Sequence, residues 1–185
     1  TSGGTNIAEI NKIKEILVEL TKDSDFSNSI MIGTMNIHQQ EMMEEGINQL
    51  RGESPSFDKY FQKWQTKDKK IEELKVQNLE SIQGDERDIV IISTTYGPTN
   101  AGLMDQRIFS ILNRQNGYKR LNVLITRQKI KLIVVTSILP SDIKSPQSKG
   151  LKSFRDFLTY IETGLIPANI VGNAIGNCTK VILFH

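Results

Sequence analysis

The sequence predicts an α/β domain with a mainly parallel sheet flanked by helices, and three observations carry that expectation. Residues 29–34 read as a short strand followed at once by an amphipathic helix, the βα unit of a parallel sheet. Residues 88–95 (DIVIISTT) and 131–136 (KLIVVT) are β-branched and apolar on both faces, as expected at the centre of such a sheet. The chain, 185 residues with 38 % apolar and 24 % charged side chains, suits one medium domain that buries a sizeable core.

Taken in order, Asn6 with Glu9 three positions on forms a capping box, and Ile7, Ile10, Ile13, Leu17 and Leu20 make one apolar helical face. Asn36 with Gln39 is a second capping box, and Met42, Met43, Ile47 and Leu50 supply the buried stripe behind it. Residues 51–73 change character. Pro55 opens a run in which Phe57, Tyr60, Phe61 and Trp64 recur at helical spacing, and a charged stretch over 67–73 follows. The aromatic stripe reads as an inserted helix docked on the core, in preference to a base-stacking platform. Residues 76–80 are a candidate short strand, 97–102 a loop, 107–112 a short helix or irregular turn, and 118–128 a helix. Pro140 and Pro146 bracket a surface loop, and 151–161 form a last amphipathic helix with Phe154, Phe157, Leu158 and Ile161 inside. The expected organisation is one domain over 1–164, carrying the insertion at 51–73, with 165–185 as a tail or the start of a following segment.

Composition narrows the function classes. Cys178 is the only cysteine, which excludes an intramolecular disulfide and points to a reducing, cytoplasmic compartment. His38 and His185 are the only histidines, so a zinc cluster is not expected. The apolar runs at 89–92 and 132–135 are strand-length, no secretory signal opens the chain, and no membrane partner is expected. A net charge of +2 means that any nucleic-acid contact is local or shared with a partner domain.

Two segments carry chemistry. In residues 80–88 (ESIQGDERD) a glycine sits in a polar turn just before a buried strand, where its backbone can approach a ligand closely. In residues 120–127 (RLNVLITR) two arginines lie seven positions apart and so share one helical face. Taken alone, the first reads equally as an ordinary charged turn and the second as an amphipathic helix with solvated arginines.

Together, in this order, they resemble motifs V and VI of superfamily I helicases, in the nonsense-mediated-decay branch that includes large bacterial multidomain helicases. Residues 30–36 (IMIGTMN) followed by Gln39 and Gln40 are similar to motif IV of that branch, and residues 137–161 to the segment that follows motif VI. The resemblance runs over residues 5–164. It implies a three-layer RecA-like fold of the P-loop NTPase type: the second motor domain of an ATP-dependent helicase, with DNA preferred over RNA. Arg127 matches the motif VI arginine finger that reaches the γ-phosphate, where such a group stabilises charge on the transferring phosphoryl. Gly84 and Glu86 match motif V positions lining the nucleotide cleft. Arg120 is implied to pair with a motif V carboxylate at that site. Ser81 and Gln83 match positions that link the cleft to the nucleic-acid track, and Thr34 and Asn36 are candidates for phosphate-backbone contacts.

The implied cofactor is ATP with Mg2+, both bound mainly by a preceding RecA-like domain of the same polypeptide. The implied partners are that domain, single-stranded nucleic acid, and a nuclease domain further along the chain. Three departures bear on this. Asn36-Ile37-His38 stands where many relatives carry a Tyr-Arg pair, Gln128-Lys129 replaces the usual Ala-Arg after the finger, and residues 98–116 keep the expected Asn113 but otherwise diverge.

No G-x-x-x-x-G-K-[ST] occurs, so the isolated chain is not expected to hydrolyse ATP. Asp85-Glu86-Arg87-Asp88 spells a DExD box, but that box belongs after an apolar strand and here the strand follows it. Two rival readings exist. Asp58 with Glu73-Leu74-Lys75 mimics a nuclease metal site, and the departures around Arg127 suit a helicase-like fold kept as a non-catalytic, nucleic-acid-binding or interaction scaffold.

Overall fold

The computed structural model describes residues 4–65, 73–82, 84–97, 109–164 and 178–183. Its sheet has five strands, all paired in parallel, in the order β2-β1-β3-β4-β5. They are β1 (Ile30–Thr34), β2 (Lys75–Asn78), β3 (Arg87–Ser93), β4 (Gln128–Thr136) and β5 (Cys178–Leu183). The helices are α1 (Ile7–Thr21), α2 (Ile37–Glu53), α3 (Pro55–Trp64), α4 (Ser110–Asn113), α5 (Gly117–Ile125) and α6 (Lys149–Thr163).

The alternation of side chains along each central strand divides the core in two. Ile30, Ile32, Ile89, Ile91, Ile133 and Val135 pack under α1, α2 and α3. Met31, Val90, Ile92, Leu132 and Val134 pack under α4, α5 and α6. This two-residue period, with both faces apolar, is what a sheet covered on both sides requires. The three-layer RecA-like expectation therefore holds. From β1 the chain moves one way to β2, and from β3 the opposite way through β4 to β5. Right-handed crossovers then put the connecting helices on opposite faces, as observed.

Local sequence sets most element boundaries. Asn6 caps α1 by accepting from the Glu9 N–H (3.2 Å), Asn36 caps α2 through Gln39 (2.8 Å), and Ser148 caps α6 through Leu151 (3.0 Å). Ser54 precedes Pro55 at the start of α3, and α6 ends at Gly164 with φ 72°. The aromatic stripe docks as expected. Phe57, Tyr60 and Trp64 are buried, the Tyr60 hydroxyl donates to the Asn28 carbonyl (2.8 Å), and Arg51 ties α2 to α3 through Asp58 (2.9 Å).

Several expectations are corrected. The capping boxes are half made: each Asn caps its helix, but Glu9 and Gln39 do not reach back and instead turn into the core. The face of α1 is Glu9, Ile10, Ile13, Leu17 and Thr21, whereas Ile7 is 58 % exposed. The helix expected over 118–128 ends at Ile125, because Gln128 already pairs with Arg87 as the first residue of β4. Arg120 and Arg127 therefore share no helical face. Within 165–185, Cys178–Leu183 joins the sheet beside β4. Residues 66–72 of the expected insertion, 98–108 of the divergent loop and 165–177 of the expected tail lie outside the described residues.

The α4–α5–α6 layer packs backbone on backbone. A Cβ added to Gly150 would meet the Leu112 carbonyl oxygen at 2.0 Å, and one on Gly117 the same oxygen at 2.4 Å. A carbonyl at the end of a short helix cannot step aside as a flexible side chain can. Gly150→Ala is accordingly expected to destabilise the fold by about 3 kcal/mol. A urea-denaturation midpoint matching wild type would contradict this packing.

Candidate functional site

The turn after β2 and the segment before β3 bring motif V alongside α5. Asn78 organises the turn by accepting from the Glu80 and Ser81 N–H groups (2.7 and 3.1 Å), and Leu79 and Ile82 bury themselves in the cluster that holds Leu121 and Leu124. The chain then reaches Gly84, exposed and with no heavy atom within 4 Å of an added Cβ. No packing contact and no left-handed φ demands glycine there. Lys75 donates to Asp85 (2.8 Å), fixing the loop to the start of β2, and this bond with the lysine charge holds the Asp85 carboxyl below its ordinary range. Arg87 is buried and donates to the Glu86 carbonyl (2.8 Å), while the Glu86 side chain faces solvent.

Arg127 stands directly beside this loop. Its carbonyl accepts from the Arg87 N–H (3.0 Å) at the entrance to the β3–β4 pair. The half-buried side chain folds back on α5, with Nε donating to the Val123 carbonyl (2.9 Å) and Nη2 to the Thr126 hydroxyl (3.2 Å). A guanidinium so placed caps the negative end of the helix dipole. Arg120 makes no ion pair among the described residues, so the expected pairing with a motif V carboxylate is corrected. Arg114 and Glu80 make that bridge instead, at 2.7 Å.

The residues matched to the nucleic-acid track lie at the carboxyl ends of β1 and β2. Thr34 is fully buried and donates to the Asn36 carbonyl (2.9 Å), and Asn36, besides capping α2, donates to the Gly4 carbonyl (2.8 Å). Ser81 is exposed in the turn after β2, and Gln83 lies outside the described residues. The structure thus groups Gly84, Glu86 and Arg127 toward the strand entrances, with Thr34, Asn36 and Ser81 at the strand exits. The rival metal site dissolves into local pairs, Asp58 with Arg51 and Gln62, and Lys75 with Asp85. No group of three or more metal-ligating side chains gathers among the described residues.

One polar centre was not anticipated. The Glu9 carboxylate is fully buried and accepts from the Ser93 hydroxyl (2.6 Å), the Thr94 hydroxyl (3.0 Å), the Thr95 N–H (2.8 Å) and the Ser137 N–H (2.9 Å). Gln39 extends the network, donating to Ser93 (3.0 Å) and exchanging bonds with the Asn6 backbone (2.7 and 3.1 Å). Burial raises the Glu9 pKa to about 7, against the pull of those four donors. Thr95, held by Glu9, has φ 68°, an unusual conformation for a β-branched residue. In doubly wound sheets the crevice at the switch point, here between β1 and β3, commonly receives ligand. In this chain its own residues 4–9 lie across it. The signal available in sequence was that Glu9 lies one turn from Ile13 on the apolar stripe.

A three-layer parallel domain that sets a glycine-bearing loop beside an arginine at a strand entrance has the form of a RecA-like motor domain. A family model described as an AAA domain matches residues 2–138, and the chain belongs to that family, the C-terminal helicase domain of superfamily I helicases. It is 30 % identical over 161 residues to the uncharacterized ATP-dependent helicase MG140 of Mycoplasma genitalium, and 29 % identical over 161 residues to the homolog of that protein in Mycoplasma pneumoniae. Each alignment covers 85 % of this chain but 14 % of the relative, so the chain spans a small part of the proteins it matches. No helix among the described residues is long and apolar enough to cross a membrane.

Proposed function

We propose that this domain is the closing half of an ATP-driven motor on single-stranded nucleic acid, DNA in preference to RNA. The reading rests chiefly on one observation, the bond from the Arg87 N–H to the Arg127 carbonyl, which makes motif V and the motif VI arginine neighbours. The relatives named ATP-dependent helicases support it. The chain offers half a nucleotide site: the open backbone of Gly84, the exposed Glu86 and the guanidinium of Arg127 fit the outer side of a triphosphate. Nothing in the sequence fits the phosphate cradle, and we assign ATP and Mg2+ mainly to a preceding RecA-like domain. When bound, ATP supplies the phosphoryl group that is transferred to water. Arg127 leaves the Val123 carbonyl, turns toward the γ-phosphate and stabilises charge there. Gly84 lets the loop backbone come close, and Glu86 accepts from the ribose. Ser81 and Gln83 transmit cleft closure to the track, where Asn36 and the backbone around Thr34 touch phosphates. A nuclease domain further along the same polypeptide is part of this reading.

Gly84→Val tests the cleft, because the added side chain meets open space within the domain. In the polypeptide carrying both motor domains, KM for ATP is expected to rise about tenfold or more, a cost of about 1.4 kcal/mol, with the melting temperature unchanged. An unchanged KM would remove Gly84 from the cleft. The isolated chain is expected to show no ATP turnover, and measurable turnover would overturn the half-site reading.

A further inference from the structure

The near-neutral total charge hides a separation between the two helical layers. Residues 4–65, which carry α1 to α3, hold six Lys and Arg against ten Asp and Glu. Residues 109–127 and 137–164, which carry α4, α5 and α6, hold eight Lys and Arg against three acidic residues, Asp142, Asp156 and Glu162. The carboxylate of Asp142 is occupied locally, accepting from the Leu139 N–H (2.7 Å). Opposite sides of the sheet therefore carry opposite charge.

Within the basic layer, several cations meet at one junction. The first turn of α6 rests on the end of α4 and the start of α5, since a Cβ on Gly150 would meet the Leu112 oxygen at 2.0 Å and the Tyr118 nitrogen at 3.1 Å. The Ser148 hydroxyl closes the same contact by donating to Asn113 (2.7 Å). This tight seat carries exposed Lys119, Lys149 and Lys152 on its rim, with the Lys149 ammonium 4.0 Å from the centre of the half-buried Tyr118 ring. Arg114 connects the junction to the motif V turn through Glu80.

We propose that the α4–α5–α6 junction is a second contact surface for the phosphate backbone of single-stranded nucleic acid, continuous with the turn that holds Ser81. Cations set on packed helix turns around an aromatic ring suit a strand that presents a phosphate at each step and a base that can stack. An anionic membrane is the poorer fit, because among the described residues the exposed large apolar side chains, Ile7, Ile37 and Ile130, lie outside the three turns of the junction. The proposal rests on the motor reading only for the continuity with the motif V turn. Binding at the junction requires neither ATP nor Arg127.

The experiment measures binding of a labelled twenty-nucleotide oligo-dT to the full chain by fluorescence anisotropy between 50 and 250 mM NaCl. It compares wild type, K119E/K149E/K152E, and K14E/K22E/K59E, which changes the net charge equally on the acidic layer. The junction variant is expected to lose affinity at least tenfold, with the logarithmic salt slope falling by about 2. The control variant is expected to stay within twofold. Equal losses in the two variants, or none in either, would overturn the proposal. So would unchanged oligonucleotide binding with lost binding to phosphatidylserine vesicles, which would make the junction a membrane surface. Thermal melts confirm that each variant is folded. Absent ATP turnover in the wild-type polypeptide carrying both motor domains, while the junction still binds DNA, would sink the motor reading and leave this surface standing.

Discussion

Alanine at Arg127 is expected to lower nucleic-acid-stimulated ATP turnover about a thousandfold in the polypeptide carrying both motor domains, equivalent to about 4 kcal/mol of transition-state stabilisation. The domain itself should survive the change. Arg127 contributes two hydrogen bonds to the end of α5, at 2.9 and 3.2 Å, and a partly exposed helix cap of this kind is worth roughly 1 kcal/mol. Nucleotide affinity should change little, since the guanidinium acts on charge that develops during transfer. Lysine at the same position restores the charge but not the planar fork, so Arg127→Lys should recover only a small part of the rate. The measurement is steady-state turnover with saturating oligonucleotide, alongside nucleotide binding and thermal melts. Turnover equal to wild type in the alanine variant would remove Arg127 from the nucleotide cleft, and absent turnover in the wild type would favour the scaffold reading, in which the fold is kept and the motor lost.

The second large effect concerns stability. Glu9→Ala removes the acceptor for the buried Thr95 N–H, the partly buried Ser137 N–H and two hydroxyls. The hydroxyls can turn to new partners but the N–H groups of Thr95 and Ser137 cannot, and a cavity is left behind. A loss of about 4 kcal/mol is expected. The pH dependence provides the sharper test. The folded carboxyl keeps its proton up to about pH 7, whereas in the unfolded chain it releases it near the ordinary value of 4.5. Between these values the unfolded chain binds fewer protons, so stability is fully present below pH 4.5 and declines as pH rises through 7. The decline amounts to about 3 kcal/mol. Urea denaturation of wild type and Glu9→Ala at pH 4.5, 5.5 and 7.5 separates this contribution from those of other groups. Parallel pH profiles for the two proteins would refute it.

Much of the architecture was legible because it depends on neighbours in sequence. The continuous apolar runs at 89–92 and 132–135 announced buried parallel strands, and both became central strands with each face covered. Asn6, Asn36 and Pro55 marked helix starts, and the helical spacing of Phe57, Tyr60 and Trp64 marked a buried face. The boundary missed in the motif VI segment has a plain cause. Residues 121–127 keep helical periodicity, but the backbone of Arg127 and Gln128 is taken by pairing with Arg87, forty residues earlier in the chain. Contacts at that separation override local propensity.

By itself, then, the sequence determined the α/β class, the sites of the helix caps, and the two motifs whose order carries the family resemblance, because periodicity and capping act over a few residues. The tertiary structure alone decided three things. It turned Glu9 from a cap into a buried hub whose partners lie 84 to 128 residues away. It gave the bridge between motif V and the end of α4 to Arg114 and Glu80, 34 residues apart, leaving Arg120 without one among the described residues. It also gathered a near-neutral composition into an acidic layer and a basic one. Each of these depends on which distant residues the sheet order places side by side, and no local pattern encodes that order.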